Sequence, residues 1–445
     1  AGGVSLPMRT RVTANLGYSL RLQNADFLPH TINPALTSPP LLQRSLNGNV
    51  QTILLNLNAT SRPISPLTLS AKYRLYDLHD LSDQVSSTGT VVNDRTVSSP
   101  RRSSVWDYSR QNFDGDARWQ LFRPLALTLG GGWERWHRNQ HREARLTDEA
   151  TGKAAIDATP ADWILARLTY RPSFRRVYQY HTEAHAEHSV NEEDPSFDTQ
   201  KQSQRLVKFD EGSRNRHRVD VLFQLTPTEF FTVTPTASYY TDDYIDSDLG
   251  LQKGTGWSAG IDLNWTPFER VAISAGYMHE RIEQGMRSRF RPTVGGVIAD
   301  FESFDWISWN IDTIDTIHAG VKATLIPKVL DLTLGGNYSS SVGRIETRNP
   351  AAPSESTTAN QLSAQAKPMP AFEDTLLRLD TKLTYHFAKA WSASLGYVFE
   401  SLVSHDWRTD RLNPFIPGIS SIWLGNDQRN YAAHIVGATL AYRFK

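Results

Sequence analysis

Apolar and polar residues alternate along much of the chain with a period of two. Every second residue from Trp257 to Trp265 is apolar, and the residues between them are small or polar. After a short polar turn, the same alternation continues from Val271 to Tyr277. Because side chains alternate between the two faces of a strand, this segment predicts a β-hairpin with one apolar and one polar face.

The same alternation recurs elsewhere, and aromatic residues lie near the ends of the apolar rows. Further rows run from Leu125 to Trp133, Leu330 to Tyr338, Leu377 to Phe387 and Trp391 to Phe399. The chain has 12 Trp, 16 Tyr and 18 Phe residues, which would supply aromatic girdles at both membrane interfaces. The pattern therefore predicts an outward face in contact with lipid.

Short turns and long polar stretches follow one another along the chain. Tight turns are predicted at Pro63–Pro66, Arg123–Pro124, Arg171–Ser173, Thr226–Glu229, Thr266–Glu269, Ile326–Val329 and Phe387–Ala390. Long polar loops are predicted at Asn24–Asn47, His79–Asp107, Asn139–Ala158, Gly285–Ser308, Asn349–Pro370 and Ser404–Asp427. This asymmetry is typical of an outer-membrane antiparallel up-and-down β-barrel, with short periplasmic turns and long extracellular loops. We expect one all-β domain over residues 1–445, with about 16 strands and both termini in the periplasm.

Composition narrows the class of protein further. The mean hydropathy is −0.45, and the chain has no run of about 18 apolar residues that would form a transmembrane helix. Lys plus Arg and Asp plus Glu both number 47, so no basic excess indicates nucleic acid as a partner. Without cysteine, the chain has no disulfide, no thiolate metal site and no C-x-x-C-H motif for attaching its own c-type haem.

The densest group of metal-capable residues lies in the sequence YHTEAHAEH. On an extended strand, His181, Glu183, His185 and Glu187 would share one face and could bind a divalent metal. The alternative is a polar lumen wall that contains histidine, because the sequence identifies no residue that would orient the ligands.

A second candidate site is acidic. Asp242, Asp243, Asp246 and Asp248 could hold Ca²⁺, which prefers several oxygen ligands on a flexible loop. Their spacing does not match an EF-hand, and an acidic tip of an extracellular loop is the alternative.

Three arginines separated by single residues form a third feature. Arg214, Arg216 and Arg218 would lie on one strand face and point inward, where they could guide anions or contact an acidic partner. A solvated row on the lumen wall is the alternative.

Catalysis is not expected. The sequence has no nucleophile elbow, Gly-rich phosphate loop or H-E-x-x-H motif, and no Ser/His pair with an acidic orienter is evident. Absence of a motif does not remove a barrel enzyme from consideration, but we expect no enzyme.

Several segments together resemble the MtrB/PioB family of outer-membrane proteins, the barrels that enclose multihaem c-type cytochromes. They are KYRLYDLHD (Lys72–Asp80), FDEGSRNRHRVDVLFQLTPTE (Phe209–Glu229), YYTDDYIDSDLGLQ (Tyr239–Gln252), GWSAGIDLNWTPFERVAISAGYMHE (Gly256–Glu280) and IWLGNDQRNYAAHIVGATLAYRFK (Ile422–Lys445). The resemblance runs over most of the chain from about Lys72 onward. It implies a location in the outer membrane of a Gram-negative bacterium, in contact with lipid.

The resemblance also implies a function. The barrel would be the sleeve of a transmembrane electron conduit, with a periplasmic multihaem c-type cytochrome in its lumen and an extracellular cytochrome or other electron partner outside. The haem c would belong to the cytochrome, and the barrel would carry no cofactor of its own apart from a possible Ca²⁺. The alternative is a porin or specific channel for ions or small solutes.

Size is where the chain departs from the family. Sixteen strands tilted by about 40° give a backbone diameter of roughly 32 Å, whereas about 26 strands give roughly 50 Å, which admits a folded multihaem cytochrome. Family members are longer than this chain. We therefore expect either further strands before Ala1 or an enclosed protein slimmer than a typical decahaem cytochrome.

Overall fold

The structure of the protein is a computed structural model that consists mainly of long β-strands. It describes residues 1–92, 95–97, 101–182, 203, 205–291, 293–294, 297–298, 300–349, 366–407, 415–416, 421–422 and 430–443. None of the helical segments in these residues has the length and apolar character that a membrane span requires. A one-turn 3-10 helix, Glu302–Phe304, precedes one of the long strands.

Seventeen strands follow one another in the main sheet. They are β1 (Gly2–Leu6), β2 (Thr10–Gln23), β3 (Gly48–Ile64), β4 (Leu67–Asp80), β5 (Tyr108–Phe122), β6 (Leu125–Arg138), β7 (Leu146–Ala161), β8 (Ile164–Val177), β9 (Arg214–Thr228), β10 (Phe231–Asp243), β11 (Leu249–Phe268), β12 (Val271–Arg289), β13 (Asp305–Ile326), β14 (Leu330–Arg348), β15 (Phe372–Ala388), β16 (Trp391–His405) and β17 (Tyr431–Tyr442). An eighteenth strand, Leu206–Val207, pairs in parallel with β11. Short two-stranded ribbons in the loops pair Ser86–Ser87 with Arg101–Arg102, Thr90–Val92 with Arg95–Val97, Thr293–Val294 with Val297–Ile298, and Phe415–Ile416 with Ser421–Ile422.

Each of the 17 strands pairs antiparallel with the next one in the chain. β2 to β17 have between 12 and 22 residues, and 9 to 11 tilted residues already cross a bilayer. The predicted all-β class and up-and-down topology are therefore confirmed, as is the expectation of about 16 membrane-crossing strands. Within the described residues, β1 pairs with β2 alone and β17 with β16 alone, so the sheet has two open edges.

The predicted asymmetry between short turns and long loops is also confirmed. On one side of the sheet, two or three residues connect the strands, as at 65–66, 123–124, 229–230, 269–270, 327–329 and 389–390. On the other side lie the long connections 24–47, 81–107, 178–213, 290–304, 349–371 and 406–430. The short turns place one strand end after another at the same membrane interface, as in outer-membrane barrels.

One predicted turn is wrong. Arg171–Ser173 lies inside β8, and the turn is at residues 162–163, so the predicted loop Asn139–Ala158 shrinks to 139–145. Pro172 is tolerated within the strand because the neighbouring strand β7 has Gly152 at this point. A Cβ atom on Gly152 would lie 3.1 Å from Cγ of Pro172, so the missing side chain makes room for the proline ring.

Candidate functional site: the inner wall of the sheet

The register of the strands gives the sheet one apolar and one charged face. In β8, Leu168 and Phe174 point outward and are 48% and 40% exposed, as expected for side chains that meet lipid. Arg167, Arg171 and Arg175 alternate with them and therefore point to the opposite face. We call this opposite face the inner wall, because it is the lumen-facing side of a barrel with an apolar exterior.

Seven arginines gather on one part of the inner wall, which we call the arginine wall: Arg118 of β5, Arg167, Arg171 and Arg175 of β8, and Arg214, Arg216 and Arg218 of β9. The register sets Arg171 directly opposite Arg218, and Arg175 directly opposite Arg214. Like charges in directly opposed positions destabilise a sheet. The arginine wall therefore depends on carboxylates from neighbouring strands.

Two aspartates each serve two arginines. Asp157 of β7, 3% exposed, accepts hydrogen bonds from Arg118 and from Arg167, the latter at 2.5 Å. Asp220 of β9 accepts from Arg171 at 2.6 Å and from Arg218 at 2.8 Å. Four guanidinium groups thus share two carboxylates.

Arg214 and Arg216 lie at the start of β9, and each donates to a different carboxylate. Arg216 donates twice to the buried carboxylate of Asp242, with both distances at 2.6 Å. Arg214 donates to Glu149 at 2.9 Å. Such charge-assisted pairs hold β7, β9 and β10 in register on their inner face.

Arg175 links the inner wall to the loop that precedes β9. Its guanidinium donates to the backbone carbonyl oxygens of Phe209 at 2.5 Å, Gly212 at 2.7 Å and Asp210 at 3.3 Å. Residues 209–212 of this loop therefore fold inward over the wall and do not extend freely from the start of β9.

Two buried glutamates fix the same loop to the connection between β6 and β7. Glu211 is fully buried, pairs with Arg142 and accepts a hydrogen bond of 2.8 Å from the backbone N–H of Ala144. Glu143, 1% exposed, pairs with Lys208. Burial raises the pKa of the Glu211 carboxyl above its ordinary value, although the Ala144 N–H and the Arg142 charge oppose this shift.

A cavity of about 710 Å³ lies beneath this loop and is lined by aromatic and charged side chains. The guanidinium carbon of Arg138 lies 4.8 Å from the ring centroid of Trp136, and that of Arg216 lies 5.0 Å from the ring centroid of Tyr240. These cation–π contacts hold the arginines flat against the wall.

The predicted histidine site lies mostly outside the described residues, which include His181 but not Glu183, His185 or Glu187. β8 ends at Val177, so His181 does not lie on the strand that the prediction assumed. Its backbone N–H donates to the carbonyl oxygen of Glu143 at 2.8 Å. The metal-binding role of these four residues remains a prediction.

The four aspartates of the predicted Ca²⁺ site have different surroundings: two of them pair with different arginines, and the other two are exposed. Asp242 lies on the inner wall and pairs with Arg216, Asp248 pairs with Arg205 at 3.2 Å, and Asp243 and Asp246 are exposed. Among the described residues, no three His, Asp or Glu side chains come close enough together to hold a metal ion. The structure does not bring the four carboxylates into one site.

The inward direction predicted for Arg214, Arg216 and Arg218 is confirmed. The arginines of β8 were missed, because the turn assigned to Arg171–Ser173 removed them from any strand. The spacing of four residues between Arg167, Arg171 and Arg175 could have identified them, since it keeps all three on one face.

Comparisons with known proteins agree with this architecture. The sequence matches the family model of the outer membrane beta-barrel porin MtrB/PioB over residues 1–444. Outer membrane protein MtrB of Shewanella baltica (strain OS185) is 20% identical over 405 residues, which are 90% of this chain and 52% of that protein. The chain thus spans about half the length of the curated relative that it matches.

Two solved structures are similar to this chain over most of its length. The FrpB iron transporter from Neisseria meningitidis (F3-3 variant) is 12% identical with a TM-score of 0.48, over 98% of this chain and 62% of that one. The siderophore receptor PirA from Pseudomonas aeruginosa is 9% identical with a TM-score of 0.37, over 97% and 80% of the two chains.

Proposed function

The chain belongs to the MtrB/PioB family of outer-membrane β-barrel porins, and from this membership we propose that it forms a sleeve around a multihaem c-type cytochrome. The protein is located in the outer membrane. In the proposed assembly, the cytochrome carries electrons through the lumen to an extracellular cytochrome or another electron partner. The sleeve keeps the charged cytochrome away from lipid, and it catalyses no reaction of its own.

The observation that carries the proposal is the match of residues 1–444 to the family, and the inner wall supports it. The side chains of the inner wall are polar and charged, as expected for a surface that faces a lumen or another protein and not lipid. Since the chain lacks cysteine, covalently attached haem must come from the partner.

The open edges of β1 and β17 also support a wide lumen. A ring in which β1 and β17 pair with further strands is wider than a ring of these 17 strands alone. A ring of about 26 strands reaches roughly 50 Å, the width that a folded multihaem protein needs.

The test is mild purification of the native assembly from the outer membrane, followed by a haem absorbance spectrum. We expect stoichiometric c-type haem that disappears when the protein is produced in cells unable to mature c-type cytochromes, while the barrel itself still reaches the membrane. A native preparation without haem would contradict the sleeve.

Reconstitution supplies a second test. Electrons should reduce a dye trapped in liposomes only when both the barrel assembly and the cytochrome are present, because lipid bars the charged cytochrome and the barrel has no redox centre. Barrels with lumen-bound cytochrome should leak fewer small ions than barrels without it.

An anion-conducting porin is a second candidate, favoured by the excess of arginine on the inner wall. Arginine rows in a water-filled lumen attract anions. Haem-free barrels that conduct anions in preference to cations, with no electron transfer after addition of the cytochrome, would favour this function.

A further inference from the structure

A recess in the inner wall lies between the two shared carboxylates, and we call it the central recess. It has a volume of about 670 Å³, and its charged lining consists of Arg118, Lys153, Arg167, Arg171 and Arg218 against Asp116, Asp157 and Asp220. Five cationic and three carboxylate side chains leave a formal surplus of two positive charges.

The surplus of positive charge arises because four arginines share only two aspartates. Lys153 is neutralised by Asp116, with a distance of 3.1 Å between Nζ and the carboxylate. The remaining four guanidinium groups share Asp157 and Asp220, and each guanidinium has five N–H donors. Two carboxylates cannot use all of these donors, so donors remain for another anion.

The surplus donors are accessible from the lumen. The side chains of Arg118, Arg167, Arg171 and Arg218 are between 41% and 47% exposed, whereas that of Asp157 is 4% exposed. The side chain of Asp220 is 23% exposed, so both shared carboxylates lie deeper in the recess than the guanidinium groups that they serve. An approaching molecule meets positive charge first.

We propose that the central recess is a docking surface for carboxylate groups on the protein that occupies the lumen. The inference rests on the proposed function, because it assigns a contact to the same lumen. Guanidinium groups bind carboxylates through paired N–H donors, and they retain their charge at every physiological pH. An acidic face of the enclosed protein would turn toward β5, β8 and β9, which fixes its rotation inside the barrel.

A matched pair of variants isolates the surplus charge. Arg118→Gln with Arg171→Gln removes both surplus charges, while Asp157 keeps Arg167 and Asp220 keeps Arg218. The control, Lys322→Gln with Lys382→Gln, removes two positive charges from the inner faces of β13 and β15, outside the recess.

The first measurement uses a fluorescent peptide of ten glutamates and the purified native assembly freed of lumen protein by high salt. At low salt, we expect the recess variant to bind the peptide about tenfold more weakly than the wild type, and the control variant within about twofold of it. Replacing the same two arginines with lysine should restore most of the binding. Equal weakening in both variants, or no binding by the wild type, would overturn the docking surface.

The second measurement follows the co-purifying haem protein directly. The recess variant should release it at a lower NaCl concentration than the wild type and the control variant do, because salt screens exposed charges. Retained haem protein with unchanged salt resistance would overturn the docking surface and leave the sleeve intact. Absence of haem protein from the wild type would contradict the sleeve, and the peptide measurement would still decide the docking surface.

Should the double variant fail to reach the membrane, Arg171→Gln alone serves in both measurements, with an expected loss of about threefold in peptide binding. Wild-type binding by this single variant would equally overturn the proposal.

Discussion

The assignment of the two faces of the sheet predicts opposite effects for an arginine placed at adjacent positions of β11. Leu263 lies on the outward face opposite Val233 and Ala275, and Asn264 lies on the inner wall opposite Thr232 and Ser274. Leu263→Arg would place a charge in lipid, whereas Asn264→Arg would place the same charge in the lumen.

The depth of Leu263 follows from the strand geometry. It lies five residues before the end of β11 at Phe268. At about 3.3 Å per residue and a tilt of about 40°, this places it roughly 13 Å from the short-turn interface, near the middle of an apolar band about 25 Å tall. At that depth, arginine on the lipid face costs about 2 to 4 kcal/mol.

The measurement is the free energy of unfolding from lipid vesicles in a urea titration, together with the amount of each variant in isolated outer membranes. We expect Leu263→Arg to lose about 2 to 4 kcal/mol and Asn264→Arg to lose less than about 1 kcal/mol. Equal losses for the two variants would show that the faces have been assigned the wrong way round.

Three further predictions concern particular contacts. Gly152→Ala should lower the free energy of unfolding by about 1 to 3 kcal/mol, because its Cβ atom would press on the rigid ring of Pro172. The control Gly396→Ala should be tolerated, because the nearest atom to its Cβ would lie 3.8 Å away. Similar urea midpoints for the two variants would contradict this prediction. Asp157→Asn should lower the free energy of unfolding by about 1 to 2 kcal/mol in the same titration. This is less than the loss of a fully buried ion pair, because the two arginines that Asp157 serves are half-exposed and can be hydrated. An unchanged urea midpoint would refute this prediction. The pKa of Glu211 is raised in the folded state, so the stability that this carboxyl contributes is complete below its unfolded-state pKa near 4.5 and is lost as pH rises through the folded-state pKa. Limited proteolysis of the loop before β9 should therefore slow from pH 7.5 to pH 5 in the wild type but not in Glu211→Gln. Faster cleavage of the wild type at pH 5 would contradict the predicted direction of the effect.

The sequence predicts strands well where the apolar alternation is uninterrupted, as from Trp257 to Trp265, because lipid on one side and water or protein on the other impose a strict period of two. The sequence-based prediction fails at Pro172, because the residue opposite a proline on the neighbouring strand decides whether the strand can accommodate it. The relevant neighbour, Gly152, is 20 positions earlier in the chain, and its location opposite the proline is known only once the register is known.

The candidate site shows the same limit. The inward direction of Arg214, Arg216 and Arg218 follows from their spacing alone. Their carboxylate partners cannot be predicted from this spacing, because Asp242 and Glu149 lie on other strands and the sequence does not determine the register of those strands. The sharing of Asp157 between Arg118 and Arg167 joins residues on β5, β7 and β8, and no local pattern encodes it.

We call the two unpaired edges, one on β1 and one on β17 within the described residues, the seam, because strands added there would change the circumference of the barrel. Each strand contributes about 2 Å to the backbone diameter of a tilted barrel, so every hairpin inserted at the seam would widen the lumen by roughly 4 Å. None of the strand pairs described from β1 to β17 would have to change its register. The arginine wall, on β5, β8 and β9, would therefore present the same surface to the lumen of a wider barrel.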